Sequence, residues 1–268
     1  SSGSGKEVSA RYIHDNSNHA SGKFIVINCS VSDQNELDKI LFGFEDSESS
    51  IEVGALERAS GGTIFLDEIS EIPMHLQGKL LKVLVENSLT RIGSDKKVDV
   101  DLRVISSTNV DLVDKINNKL FREDLFHRLN VVPIKTPDLN ERVDDIPILA
   151  EYFVEKFASV NGLANRKFSK DALTFLQGMS WPGNIRQLRN VIERVLILGN
   201  PLEQITSDEL VSSEAKARDT GENINLISSD LASMSLREAR EVFERDYLVL
   251  QINRFGGNIS KTAAFIEM

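Results

Sequence analysis

The apolar positions of this chain change their period once, and the change divides it. Residues 23–29 (KFIVINC) and 63–66 (TIFL) are short, nearly continuous apolar runs, and they predict buried strands. Residues 102–106 (LRVIS) and 131–134 (VVPI) predict two more. Helical patterns lie between them. Residues 7–14 form one. Another opens with Pro73 in its first turn and then carries Leu76, Leu80 and Leu84 along one face. Strands alternating with helices predict an α/β fold with a mainly parallel sheet. After about Pro137 the strand patterns stop. Residues 146–157, 170–176 and 185–198 read as helices, the last started by the break Trp181-Pro182-Gly183-Asn184. Residues 200–233 are polar and poorly periodic, as in a linker. Residues 235–254 are helical again, with Leu236, Ala239, Val242 and Phe243 on one face; FGGN and a short helical run follow. The expected division is an α/β core over 1–137, a helical subdomain over 138–199, a linker over 200–233 and a last helical piece over 234–268.

Composition narrows the function classes. With 41% hydrophobic and 27% charged residues in 268, the chain has the make-up of a water-soluble globular protein. Its net charge of −10 excludes a wholly basic nucleic-acid coat while leaving room for a local DNA-binding element. One cysteine, Cys29, excludes an internal disulfide and suits a reducing cytoplasm, the predicted location. No apolar stretch approaches the length of a membrane span, so no membrane partner is expected. The four histidines, His14, His19, His75 and His127, are not at metal-ligand spacing.

Two stretches carry candidate chemistry. The chain opens SSGSGKE. A phosphate-binding loop reads G-x-x-x-x-G-K-[ST]; its backbone N–H groups form a nest for phosphate and its lysine reaches the terminal phosphates. Gly3, Ser4, Gly5 and Lys6 fit its second half, with Glu7 where Ser or Thr is usual. A flexible Gly/Ser start would look the same. The second stretch, TIFLDE, ends an apolar run on Asp67 and Glu68. A strand can deliver a Mg²⁺-directed aspartate and a water-activating glutamate in this way, and a solvated acidic turn would also fit.

The ordered set GSGKE, INC, LFG, GGTIFLDEI, FREDLFHRL, DIPIL and WPGNIRQLRN resembles the AAA+ domain of NtrC-type bacterial transcriptional activators, over most of residues 3–198. Within that family the tail and EVGAL (52–56) are most similar to the NtrX branch of response regulators. The resemblance implies an AAA+ P-loop NTPase core, a helical lid subdomain and a partial Fis-type helix-turn-helix. It implies ATP and Mg²⁺ as cofactors. Lys6, with Gly3, Ser4, Gly5 and Glu7 of the loop, would hold the phosphates. Asp67 would hold Mg²⁺ through water, and Glu68 would orient or deprotonate the attacking water. Asn28 would be the polar partner of that glutamate, or a strand-end cap. Asn109 matches the first sensor, or else makes an ordinary Asx turn before the next helix, and Arg186 matches the second. Arg122 and Arg128 match a pair of arginine fingers offered to a neighbouring subunit, with surface pairing to Glu123 and Asp124 as the alternative for both. The implied partners are DNA, further copies in a ring, and a cognate sensor kinase.

Two departures bear on this. The family's sigma-54 loop, GAFTGA, is replaced after Leu41-Phe42-Gly43 by the acidic, Ser-rich FEDSESSIEVGAL. Sigma-54 remodelling is therefore not expected, while other contact with RNA polymerase stays open. The resemblance also places the first residue inside the phosphate loop and the last inside the DNA-binding motif, without its recognition helix. A sheet lacking the strand before the loop is expected to be poorly stable and to bind ATP weakly. The expected function is an ATP-binding, ATP-hydrolysing transcription regulator; the alternative is a non-hydrolysing DNA-binding regulator whose AAA+ fold serves oligomerisation or nucleotide sensing.

Overall fold

The computed structural model describes residues 2–30, 34–46 and 51–212. The expected partial helix-turn-helix (234–268) and most of the expected linker lie outside the described residues. The chain divides into two compact units between Thr136 and Pro137.

The first unit runs α1 (Lys6–Asp15), β1 (Phe24–Asn28), α2 (Gln34–Phe42), β2 (Gly43–Glu45), β3 (Ile51–Val53), α3 (Ala55–Arg58), β4 (Gly62–Asp67), α4 (Met74–Glu86), β5 (Ser88–Thr90), β6 (Lys97–Asp99), β7 (Leu102–Ser106), α5 (Leu112–Asn117) and α6 (Glu123–Leu129). Its centre is a parallel sheet in the order β1-β4-β7, with Asn28 opposite Asp67 and Leu66 opposite Ser106. β4 is the middle strand, which is why its run is apolar throughout: Ile64, Phe65 and Leu66 are buried. Leu76, Leu80 and Leu84 of α4 pack into the same core with Leu37, Leu41, Leu56 and Leu125. β2–β3 and β5–β6 are separate two-stranded antiparallel ribbons. Arg91 ties the first ribbon to α3, donating to Glu45 (2.9 Å) and to both oxygens of Glu57 (2.7 and 2.9 Å).

One expected strand is corrected. Residues 131–134 join no ladder, and Val131, Val132 and Ile134 are 73%, 76% and 64% exposed. β-branched composition favours extended backbone, but a strand also needs a neighbour to take its N–H and C=O groups, and Pro133 has no N–H to give. Among the described residues β7 pairs only with β4.

The second unit is helical: α7 (Asp145–Asn161), α8 (Lys170–Gly178) and α9 (Asn184–Leu198). Trp181 is fully buried among them, its Nε1–H donating to the Leu176 carbonyl at 3.0 Å. Asn184 starts α9 at φ 52°, and its Oδ1 accepts the Leu139 N–H at 2.7 Å. Arg166 is the polar centre of this unit. It donates to the carbonyls of Glu203 (2.9 Å), Val195 (3.1 Å) and Gln204 (3.2 Å), and to both oxygens of Glu209 (2.7 Å each). Among the described residues no helix is long and apolar enough to cross a membrane.

Candidate active site

The site is assembled where β4 and β7 end beside the start of α1. Gly3 and Gly5 both have positive φ (73° and 99°), and Gly5 caps α1 in the left-handed region. Glycine adopts that backbone without the Cβ clash other residues meet, and it lets successive N–H groups converge. Lys6 follows as the first helical residue. Its Nζ reaches across to Glu68, donating to Oε1 at 3.0 Å, and also donates to Asn109 Oδ1. Asn109 closes the triangle. Its backbone N–H gives to Glu68 Oε2 at 3.1 Å, and its Nδ2 gives to Oε1. Lys6 and Glu68 are 15% and 19% exposed, so the pair is largely shielded yet reachable. Three residues from positions 6, 68 and 109 thus form one polar cluster.

Glu68 sits at φ 56°, ψ 52°, a left-handed conformation that a residue with a Cβ adopts at a cost of roughly 1–2 kcal/mol. The turn that holds it is bonded to the end of β7. Ser107 N–H donates to Leu66 O (2.9 Å), Glu68 N–H to Ser107 Oγ (3.3 Å) and Ile69 N–H to Ser107 O (2.8 Å). Ser107 Oγ–H donates to Asp67 Oδ1. Ser107 was not singled out by sequence reasoning. The signal for it was a hydroxyl residue following an apolar strand and standing two before Asn109.

Cys29 lies under the acids, its N–H bonded to Asp67 O at 2.8 Å. Burial, with added repulsion from Asp67 and Glu68, pushes its thiol up to about 12.

The donor set fits a magnesium ion delivered with phosphate. Mg²⁺ takes one or two carboxylates plus phosphate oxygens and water. Asp67 supplies one carboxylate at a strand end, and among the described residues no group of three or more His, Cys, Asp or Glu forms a protein-only cage.

Of the remaining expected residues, Asn28 stands opposite Asp67, and Ser4 and Glu7 flank Gly5 and Lys6. Asn28 Oδ1 accepts the Ser30 N–H at 2.9 Å, in a turn that caps its strand. Glu7 is exposed and pairs with Arg11 at 3.6 Å. Ser4 Oγ bonds Thr136 Oγ1 at 3.0 Å. Arg122 forks onto Asp124 (2.9 and 2.7 Å), which holds that carboxyl below the usual range and raises the guanidinium. Arg128 Nη2 donates to Leu84 O at 2.7 Å, near the C-terminal end of α4. Arg186 lies in the first turn of α9, in the second unit.

Comparison with known proteins follows the same two-part division. Residues 1–135 match the family model of the sigma-54 interaction domain, and residues 140–225 that of the AAA+ ATPase lid domain. The chain is 50% identical over 270 residues to the nitrogen assimilation regulatory protein NtrX of Azorhizobium caulinodans, covering 100% of this chain and 59% of that relative. It is 37% identical over 269 residues to the regulatory protein AtoC of Escherichia coli, covering 99% of this chain and 58% of that one. Among solved structures, NtrX from Brucella abortus in complex with ATP is similar at 45% identity and a TM-score of 0.73, covering 100% of this chain and 59% of that one. The ADP complex of the same protein gives 45% identity and a TM-score of 0.74. The chain therefore spans about 59% of the length of these NtrX proteins.

Proposed function

This chain belongs to the sigma-54 interaction domain family, and from that premise we propose that it is the ATP-binding and ATP-hydrolysing part of a two-component transcription regulator. The observation that carries the reading is the Lys6–Glu68–Asn109 cluster, with Asp67 beside it, at the ends of parallel strands and next to a glycine-capped helix. Nucleotide sites of open α/β sheets lie at this position. The ATP and ADP complexes of the Brucella NtrX support carrying nucleotide binding over to this chain.

In this reading the amides of Gly3, Ser4 and Gly5 and the Lys6 ammonium receive the β- and γ-phosphates. Asp67 would hold the Mg²⁺ through water, and the ion would supply charge neutralisation at the phosphates when bound. Glu68 orients a water and takes its proton, and Asn109 keeps the carboxylate aimed. Arg186 reads the nucleotide from the helical lid. Arg122 and Arg128 serve the site of a neighbouring copy in a ring, which requires each to leave its present partner. The division proposed is a core over 1–137, a lid over 138–199, a linker over 200–233 and a DNA-binding piece over 234–268. A sensor kinase and promoter DNA are the proposed partners. Sigma-54 is not, because the acidic stretch from Phe44 to Leu56 stands in place of the family's gripping loop.

One observation favours a second reading, a nucleotide-dependent scaffold with little turnover: both arginines are engaged inside their own chain. ATP turnover measured against protein concentration separates the two. Turnover that rises steeply with concentration and falls at least a hundred-fold in Glu68→Gln and in Arg128→Ala supports hydrolysis at a subunit interface. ATP binding with no turnover at any concentration overturns it in favour of the scaffold.

A further inference from the structure

We propose that Ser107 is a positioning residue that sets the two acids of the site, and that this chain relies on its hydroxyl for Mg²⁺-dependent handling of ATP. Four consecutive residues bond to this one serine: Leu66 through its carbonyl, Asp67 through its carboxylate, Glu68 and Ile69 through their N–H groups. Two of the four bonds are to the Ser107 backbone and would survive any side-chain change. The other two are made by the hydroxyl, and they fall on the two acids. That division separates fold from chemistry. The backbone pair registers β4 against β7. The hydroxyl accepts from Glu68 N–H, in the left-handed residue of the turn, and donates to Asp67 Oδ1.

The donated bond has a directional consequence. A carboxylate with one oxygen fixed by an O–H donor cannot spin freely, so its second oxygen has a fixed heading. A cation that demands near-ideal octahedral geometry gains from this, because it binds few protein oxygens and tolerates little misplacement. The accepted bond helps hold the Glu68 backbone in a conformation it would otherwise leave, and with it the start of the side chain that meets Lys6 and Asn109. Alanine at 107 would leave Asp67 able to rotate and Glu68 N–H without its acceptor. Threonine keeps the hydroxyl on the same Cβ.

The inference rests on the ATP–Mg²⁺ reading, and the test keeps the two apart. The 268-residue chain, Ser107→Ala and Ser107→Thr are compared by ATP affinity without Mg²⁺, by ATP affinity across a Mg²⁺ titration, by turnover, and by hydrogen exchange of the Glu68 amide. In Ser107→Ala the half-saturating Mg²⁺ concentration is expected to rise about five-fold and kcat to fall about ten-fold, as for loss of a hydrogen bond to a charged group. The Glu68 amide should exchange faster. Affinity for ATP without Mg²⁺ should stay within about two-fold, because Lys6 and the glycine amides are untouched. Ser107→Thr should restore Mg²⁺ half-saturation and kcat to within about two-fold. An unchanged Mg²⁺ requirement in Ser107→Ala overturns the proposal. So does an equal loss of affinity with and without Mg²⁺, which would mark general loosening of the site. If the unmodified chain binds ATP but never turns it over, the hydrolysis reading fails while the Mg²⁺ titration still decides Ser107. If it binds no ATP at all, both fail.

Discussion

Replacing Arg166 by methionine should unfold much of the helical unit's stability margin. The guanidinium uses all five N–H donors: three on carbonyls and two on the Glu209 carboxylate. Methionine keeps the stem's bulk and removes every donor. The Val195 carbonyl retains one partner, the Gly199 N–H at 3.0 Å. The Glu209 side chain is 24% exposed, so water reaches part of it. Both facts place the cost at the lower end of what breaking a buried pair involves, about 3 kcal/mol. Against a total of about 5–15 kcal/mol for a natural domain, that is a large fraction. Trp181 makes the measurement local: it is the single tryptophan of the sequence and is fully buried in this unit. Its fluorescence in a urea titration should show the midpoint falling by about 2–3 M, for a slope near 1 kcal/mol/M. Arg166→Met combined with Glu209→Leu should recover about 1 kcal/mol, since no unpaired carboxylate is left. A single-variant midpoint within about 0.5 M of the unmodified protein would refute the reasoning, because five satisfied donors would then count for nothing net.

Three further outcomes are expected. Gly199→Ala should cost about 1–3 kcal/mol and so lower the same Trp181 midpoint by about 1–3 M, since a Cβ there would stand 1.8 Å from Glu209 Oε1 and 2.0 Å from Arg166 Nη1; an unchanged midpoint would mean the pair moves aside freely. Cys29 should resist iodoacetamide at pH 8 in the folded chain and react once urea unfolds it, because its thiol, pushed up to about 12, stays protonated; mass spectrometry of the native protein after an hour reads the answer. Glu45, Glu86 and Asp124 are held below the usual carboxylate range, by Lys96 then Arg91, by Lys97 and by Arg122 respectively. Each contributes stability that is present above its unfolded value and lost as pH falls through its folded one, so urea midpoints followed by circular dichroism should drop below about pH 4, and less steeply in high salt.

The parts of the fold legible in the sequence are those that local pattern decides. The apolar run ending in Asp67 and Glu68 is the middle strand of the sheet, and the four-residue leucine spacing from Leu76 to Leu84 is the buried face of α4. The helices of the second unit were visible for the same reason, and the structure extends α7 to Asp145–Asn161. Pairing was not legible where it depends on a distant segment. VVPI has strand composition and no ladder; β2, β3, β5 and β6 are three-residue strands, too short to show a period. At the site, Lys6, Glu68 and Asn109 were each readable from motifs, and the structure brings them into contact. Ser107 was not, because its importance lies in bonding four positions about forty residues away, which no spacing along the chain reveals. Arg166 was missed likewise: its carbonyl partners carry no sequence signature.

The left-handed backbone at Glu68 sets the acid of the candidate site against the relaxation of its own turn. Glycine at 68 would relax that residue by roughly 1 kcal/mol while deleting the carboxylate that meets Lys6 and Asn109. Relaxing the backbone and keeping the acid therefore oppose each other, because the shielded Lys6 ammonium would lose its carboxylate partner. A screen for heat resistance would keep glutamate at 68 only where the Lys6 pair outweighs the relaxed turn, so the residue recovered there reports the balance of the two.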